Sequence, residues 1–575
     1  MKKYISLLLA AMTLIPALAG CVSTPQDSTA ATEADVTVTE PQETETVTEE
    51  ETTVEITETE TETETEEETE ILPEVTEDIE AMKAEPAAQF KVSRAFGSGM
   101  VIQRNEYIRI WGWADSSENG KRVEAELGGL HGATVITDGE WTITLGGTLK
   151  ENTEGQTLRV FGAEGVEKTF EDVLVGDVYW VIGQSNVWYP VSYVKNEPLA
   201  SEEARNAEIS NDLQIRLNRT FAGDFGGIDL GTNAVSRDVV NRRGWQKPEQ
   251  GAMDFSALGY FNALKLYNAM DRKVPIGMIE FDGNGCALHA FLPNEVRDEL
   301  KVSTLSNGHY SAPGANTHVS SFMYNHGMYS FQKMPIKGII WYQGESDLAD
   351  ANNNNTAYAE RFTALIKYLR NAHDQIHHEY PVYIVELPPI FIAFDFAKVR
   401  LNMGTIPTML EEAYTCTTSD LWKEKKYGYD DKGVMDPVKN SLHPFNKWEI
   451  ADRMYKMILA HDKVTGDLNE VCGPQFEKAE ISEDGLTVTI KYRYVGEGLK
   501  ASGHLQGFKV TTASKKTWAK PATMEITGPD TVVITAKAKI KSVAYETQRD
   551  DTFPERVNLC SSTGIPATAF TWIFE

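Results

Sequence analysis

Long apolar runs that end in polar clusters constrain this chain more than any other feature. Asp172 to Ile182 is a near-continuous apolar stretch, as expected of a strand covered on both faces within a parallel sheet. Similar runs recur at 276–281, 336–341 and 382–387, with helical patterns at 255–270 and 356–373 between them. Strand and helix alternating over 170–462 predict an α/β domain on a mainly parallel sheet flanked by helices. On either side the pattern changes to short alternating runs broken by Gly and Asn-Gly. Examples are Tyr107 to Trp113 and Trp141 to Leu145 before it, and Leu486 to Tyr492 and Thr531 to Thr535 after it. These predict β-sandwich-type regions at 91–169 and 463–575. The pattern leaves open whether the two pack together.

Residues 22–90 differ in composition. They hold 23 acidic residues against one Lys, a net −22, and contain no aromatic before Phe90. Such a segment cannot bury enough apolar surface to offset its ordering entropy, and its like charges extend it. It reads as a Thr/Glu-rich tether, with an acidic binding tail as the alternative. Lys2 and Lys3 add +2, so residues from 91 onward carry only −11 of the chain's −31. With no long basic run, nucleic acid is not expected as a partner. Residues 1–21 read as a secretory leader, because the apolar run from Ile5 to Leu18 is short for ~30 Å of hydrocarbon. Its end, Leu18-Ala19-Gly20-Cys21, resembles the bacterial lipobox, which implies acylation of Cys21 and a protein anchored by lipid outside the cytoplasm and exposed at the cell surface. An ordinary signal peptide with a chance Cys is the alternative. The remaining cysteines, Cys286, Cys416, Cys472 and Cys560, lack paired spacing, and His289, His326, His377 and His378 lack ligand spacing, so no metal site is expected.

Three polar clusters follow predicted strands or precede a predicted helix. Gly183-Gln184-Ser185-Asn186 directly follows one apolar run, which places Ser185 at the carboxyl end of a strand, where open α/β folds hold their sites. A Ser hydroxyl there needs a base in reach and donors for the oxyanion; a helix N-cap is the other use of such a Ser. Gln343 and Glu345 follow the run ending at Trp341. An amide there can donate to an oxyanion, and a carboxylate can orient a His or a sugar hydroxyl. His443 precedes a helical pattern at 449–460, where it can be a base or a cap.

The stretches Gly176 to Asn186, Trp341 to Ser346 and His443 to Lys447, in that order, resemble the sialate O-acetylesterase family of SGNH-type hydrolases. Phe96 to Arg104 resembles the family's N-terminal β opening, and Val557 to Leu559 with Gly564 to Ala567 its C-terminal end. The resemblance covers about 91–575. It implies an SGNH-hydrolase-like parallel sheet and a carbohydrate O-acetylesterase that works through a serine acyl-enzyme without metal or organic cofactor. Ser185 would be the nucleophile and His443 the general base. The backbone N–H groups of Ser185 and Gly285 and the side chain of Gln343 would hold the oxyanion.

Three positions depart from the family pattern. Asn284-Gly285-Cys286 stands where Gly-Gly-Thr is common, Val187 where Met is common, and Asn440 where SGNH enzymes place Asp three residues before the His. Either a Ser–His pair acts with a backbone carbonyl, or a carboxylate arrives from elsewhere. Glu345 and Asp436 are the candidates. Trp188 and Tyr189, next to the nucleophile, are candidate sugar-binding faces. The expected partner is an acetylated carbohydrate, from sialic acid to plant xylan or mannan. The rival from another class is a non-catalytic surface glycan-binding protein.

Overall fold

The computed structural model describes residues 80–221, 234–240, 243–302, 319–347, 357–388, 396–421, 443–545 and 557–574. All of them lie in the unit Glu74–Glu575. Cys21, the leader, residues 22–79 of the expected tether, and Asp436 with Asn440 lie outside the described residues. The folded part begins earlier than expected. Ala81 and Ala87 are buried, Ala87 N donates to Arg122 O at 2.8 Å, and Phe90 packs edge-on against Trp141 at 5.9 Å. Small apolar residues and one aromatic give this end of the acidic segment something to bury.

The apolar runs become a parallel sheet. Its strands, in chain order, are β1 (Glu167–Gly183), β2 (Ile215–Phe221), β3 (Trp245–Gln246), β4 (Ile276–Asp282), β5 (Gly338–Tyr342), β6 (Val382–Val385) and β7 (Ala413–Cys416). They lie in the order β3-β2-β4-β1-β5-β6-β7, parallel except for the two-residue edge strand β3. β1 is central. Trp180 on β1 and Trp341 on β5 are fully buried, which is why these runs lack polar alternation. The described residues include four helices that matter for the site: α1 (Ser185–Trp188), α2 (Ala257–Ala269), α3 (Tyr358–His373) and α4 (Lys447–His461). The Ser256 hydroxyl caps α2 by accepting from Gly259 N. α2 meets α4 through the Phe261–Trp448 ring pair at 5.1 Å, with Lys265 Nζ 3.7 Å from the Trp448 ring centre.

The boundary expected between 169 and 170 falls inside β1. Its first half pairs antiparallel with Asn152–Phe161 and parallel with Val101–Gln103, and its second half enters the parallel sheet. One core therefore runs from Ile110, Val123 and Val160 to Trp180 and Ile340. The C-terminal β region has its own core around Phe476, Ile490, Val532 and Phe570, with Phe476 stacked on Phe570 at 4.1 Å. It meets the sheet at its far edge, where the Gln475 side chain donates to Thr415 O (3.2 Å) and accepts from Thr415 N (3.3 Å).

Candidate active site

Register brings the polar clusters to one level. Gly183, the last residue of β1, pairs with Asp282 on one side and Tyr342 on the other, so the chain segments that follow start together. Gly183 is required by that close approach. A Cβ there would overlap the Tyr342 carbonyl oxygen and sit 2.6 Å from Val187 Cγ2.

Ser185 opens α1 directly beyond this point and is half-buried. The N–H groups of Val187 and Trp188 both donate to Gln184 O at 2.9 Å, and Tyr189 N donates to Ser185 O at 3.0 Å. Gly285 lies in the turn after β4, half-buried and at φ +73°, a conformation that favours glycine. Gly283 N donates to Gly183 O at 3.0 Å and Cys286 N to Gly283 O at 2.9 Å, which tie this turn to the end of β1. Among the described residues, no acceptor takes the N–H of Ser185 or of Gly285.

Gln343 does something different from the donor role expected of it. Its side chain is fully buried, and its amide nitrogen faces Asp347 Oδ2 at 2.6 Å, Cys286 O at 3.0 Å and Gln184 Oε1 at 3.3 Å. Two hydrogens already have three protein acceptors. The amide oxygen accepts from Tyr358 OH at 3.0 Å, and that hydroxyl also lies 2.8 Å from Gln343 O. Gln343 thus fastens the loops after β1, β4 and β5 to one another and to α3. Asp347 extends the fastening, since its carboxylate accepts from Leu288 N at 3.1 and 3.2 Å. Asp347 was not singled out from sequence. The signal is its place four residues after Gln343, in one tight loop.

A second buried chain links the segments that carry Ser185 and His443. Lys447, at the start of α4 and without solvent exposure, donates to Asn186 Oδ1 and to Pro444 O, each at 2.7 Å. Its ammonium lies 5.1 Å from the ring centres of both Tyr189 and Tyr342. The Asn186 amide nitrogen in turn donates to Glu345 Oε1. One ammonium therefore bonds the residue after Ser185 and the residue after His443.

Burial brings Lys447 and Glu345 together electrically. Desolvation lowers the Lys447 pKa to about 7, against the pull of Glu345, and raises that of Glu345 to about 7, against Asn186 and Lys447. His443 is half-buried, and desolvation with the Lys447 charge lowers its pKa to about 4. Glu345 faces Asn186 in this arrangement, not the imidazole. Trp188 and Tyr189 meet Tyr193 edge-on at 5.7 and 5.4 Å. Tyr193 is 37% exposed and makes an aromatic group of three beside Ser185; it was not singled out from sequence, because its spacing equally suits helix packing.

Among the described residues, no group of three or more His, Cys, Asp or Glu is placed to hold a metal ion, and no helix is long and apolar enough to cross a membrane.

Comparison with known proteins adds independent findings. Residues 256–427 match the family described as carbohydrate esterase, sialic acid-specific acetylesterase. The sialate O-acetylesterase of Rattus norvegicus is 24% identical over 336 residues, 49% of this chain and 56% of that protein. The human sialate O-acetylesterase is 27% identical over 347 residues, 56% of this chain and 60% of that protein. The chain thus spans under two thirds of the length of these curated relatives. Among solved structures, a carbohydrate acetylesterase from Xanthomonas citri shares the fold with a TM-score of 0.64 and 21% identity, covering 85% of this chain and 100% of that one.

Proposed function

We propose that this chain, whose residues 256–427 match the family described as carbohydrate esterase, sialic acid-specific acetylesterase, hydrolyses acetyl esters on sialic acid or other glycans through a serine acyl-enzyme, on an SGNH-like sheet. The observation that carries the reading is the convergence on Lys447. Its bonds to Asn186 Oδ1 and Pro444 O hold the neighbours of Ser185 and His443 at one strand-end level.

In the first step His443, neutral at pH 7 because of burial and the Lys447 charge, takes the Ser185 proton as the oxygen attacks the acetyl carbonyl carbon. The carbonyl π pair moves to oxygen. The N–H groups of Ser185 and Gly285, which face no protein acceptor among the described residues, receive that charge; each such donor is worth about 3 kcal/mol of barrier. Collapse breaks the ester C–O bond, and the imidazolium returns its proton to the departing sugar oxygen. Water then attacks the acetyl-serine with His443 again as base, releasing acetate and restoring Ser185. Gln343 acts here by fixing the loops. Trp188 and Tyr189 offer ring faces to the sugar.

Cys21 is read as a lipidated residue and the Thr/Glu-rich segment as a tether, which would hold the enzyme at the outer side of a membrane; the lipobox-like Leu18 to Cys21 supports this. The experiment is acetate release from O-acetylated sialic acid, acetylated xylan and acetylated mannan by the full chain and by Ser185→Ala. Release by the wild type alone is expected, and the panel ranks the substrates. Equal release by both proteins would remove Ser185 as nucleophile.

A further inference from the structure

The C-terminal β region carries a feature that ester cleavage does not use. Between residues 505 and 545 the sequence has seven Lys against two acids, Glu525 and Asp530, a net +5 within a chain of net −31. Asp530 is already paired with Lys491 at 2.7 Å. The fold collects most of this charge at one end of a sheet. Strand Phe508–Thr512 pairs antiparallel with Ile540–Tyr545, with Thr512 opposite Ile540, so the loop leaving the first strand runs beside the chain entering the second. Ala513 N donates to Lys539 O at 2.9 Å, and Val510 and Ala519 exchange two bonds of 2.9 Å that close the loop as a hairpin.

On this hairpin Lys515, Lys516 and Lys520 are exposed, and on the adjoining chain Lys537 and Lys539 are exposed as well. Trp518 stands among the first three, 36% exposed. Among the described residues, none of these five ammonium groups forms an ion pair; Asp484, whose carboxylate feels Lys539, is an acid in their surroundings. Like charges gathered without partners repel, and an indole left in water gives up the area that packing would bury. Both costs are offset when an anionic ligand with flat apolar faces covers the patch.

The chemistry narrows that ligand. The cations are all Lys, which are point charges, and no Arg is present to grip a phosphate through two parallel bonds. A single Trp in the stretch Thr512 to Lys520 offers a stacking platform for one sugar ring but no apolar cluster for insertion into lipid. We propose that this hairpin is a non-catalytic docking surface for a carboxylate-bearing polysaccharide, with Trp518 against a sugar ring and Lys515, Lys516 and Lys520 against its carboxylates. The surface goes beyond ester hydrolysis and needs none of it. On a chain acidic elsewhere, it gives an anionic glycan a place to land.

The test uses the full chain and polysialic acid without acetyl groups, so that turnover plays no part, with dextran as the neutral control and vesicles of phosphatidylglycerol and phosphatidylcholine as the lipid arm. Calorimetry at low salt should give binding to polysialic acid, none to dextran, and the same affinity for Ser185→Ala. The triple variant Lys515→Gln, Lys516→Gln, Lys520→Gln should bind about tenfold more weakly, and its log–log salt slope should flatten by about 2. Trp518→Ala should weaken binding with the salt slope unchanged. Circular dichroism and activity on an aryl acetate, both unchanged, show that the variants fold. Absent binding by the wild type, undiminished binding by the triple variant, or tighter binding to vesicles than to the polysaccharide would each overturn the proposal. Equal binding by Ser185→Ala separates this outcome from the fate of the esterase reading.

Discussion

Lys447 Nζ donates to Asn186 Oδ1 across 2.7 Å, although 261 positions separate the two residues in the chain. The bond is fully buried and lies one residue from Ser185, while the same ammonium holds Pro444 O, one residue from His443. Removing the ammonium should therefore disturb the proposed Ser185–His443 alignment without touching either group. Lys447→Met is expected to lower kcat about a hundredfold with a smaller change in KM, the scale of a misplacement of about 1 Å. Steady-state kinetics on an aryl acetate reads this directly.

The same substitution makes a prediction about pH. The Lys447 charge is one of two causes that depress the His443 pKa to about 4, burial being the larger. Without the cation the imidazolium is less disfavoured, so the acid limb of kcat/KM should move to higher pH in Lys447→Met. Lys447→Arg keeps a charge there and should leave the limb near its original position. A pH–rate profile of the three proteins decides it.

Glu345 predicts a pH dependence of stability. Its folded pKa is raised from 4.5 to about 7, mainly by burial, so between these values the folded chain binds more protons than the unfolded one. Stability contributed by protonated Glu345 is thus present below about 4.5 and is lost as pH rises through about 7. Glu345→Gln can still accept from Asn186 and carries no titrating group. Urea denaturation across pH 4.5 to about 7 should show that its stability falls less steeply than that of the wild type.

Gln343→Ala separates a fastening role from an oxyanion role. It leaves Asp347, Cys286 O and Gln184 without the donor they share, and a buried network broken in this way costs about 2–4 kcal/mol. The urea midpoint should fall together with activity. A loss of kcat with the midpoint unchanged would instead assign the amide to the oxyanion.

Gly183→Ala tests the crowding at the end of β1. The added methyl overlaps the Tyr342 carbonyl, a backbone atom of the neighbouring strand that cannot step aside. Destabilisation of about 3 kcal/mol or more is expected, with loss of soluble protein or a clearly lowered melting temperature.

Much of this arrangement was legible from residue pattern. Strands buried on both faces announce themselves as apolar runs, which gave β1, β4, β5 and β6 and with them the positions of Ser185, Gly285 and Gln343. β2 was missed because Arg216, Asn218 and Thr220 alternate with its apolar residues and yet are buried, Arg216 beside Asp172 and the carbonyls of Leu213 and Ile215. Polar groups satisfied inside the fold look like solvent-facing ones in a sequence. β7 was missed because its four residues, Ala413 to Cys416, are too few to show a period. The direction in which the Gln343 amide points, and the pairing of Glu345 with Asn186 in place of an imidazole, depend on contacts between segments that no local pattern encodes.

The length of β1 has a consequence for how this protein can be divided. Seventeen residues form one unbroken strand, whose early half is stitched to Asn152–Phe161 and whose last residue precedes Gln184 and Ser185. A fragment cut at 170 would strip the strand of its antiparallel neighbour and open the shared core at Val173 and Leu174. The region before it is therefore no detachable appendage; a single backbone rail joins it to Ser185, the proposed nucleophile.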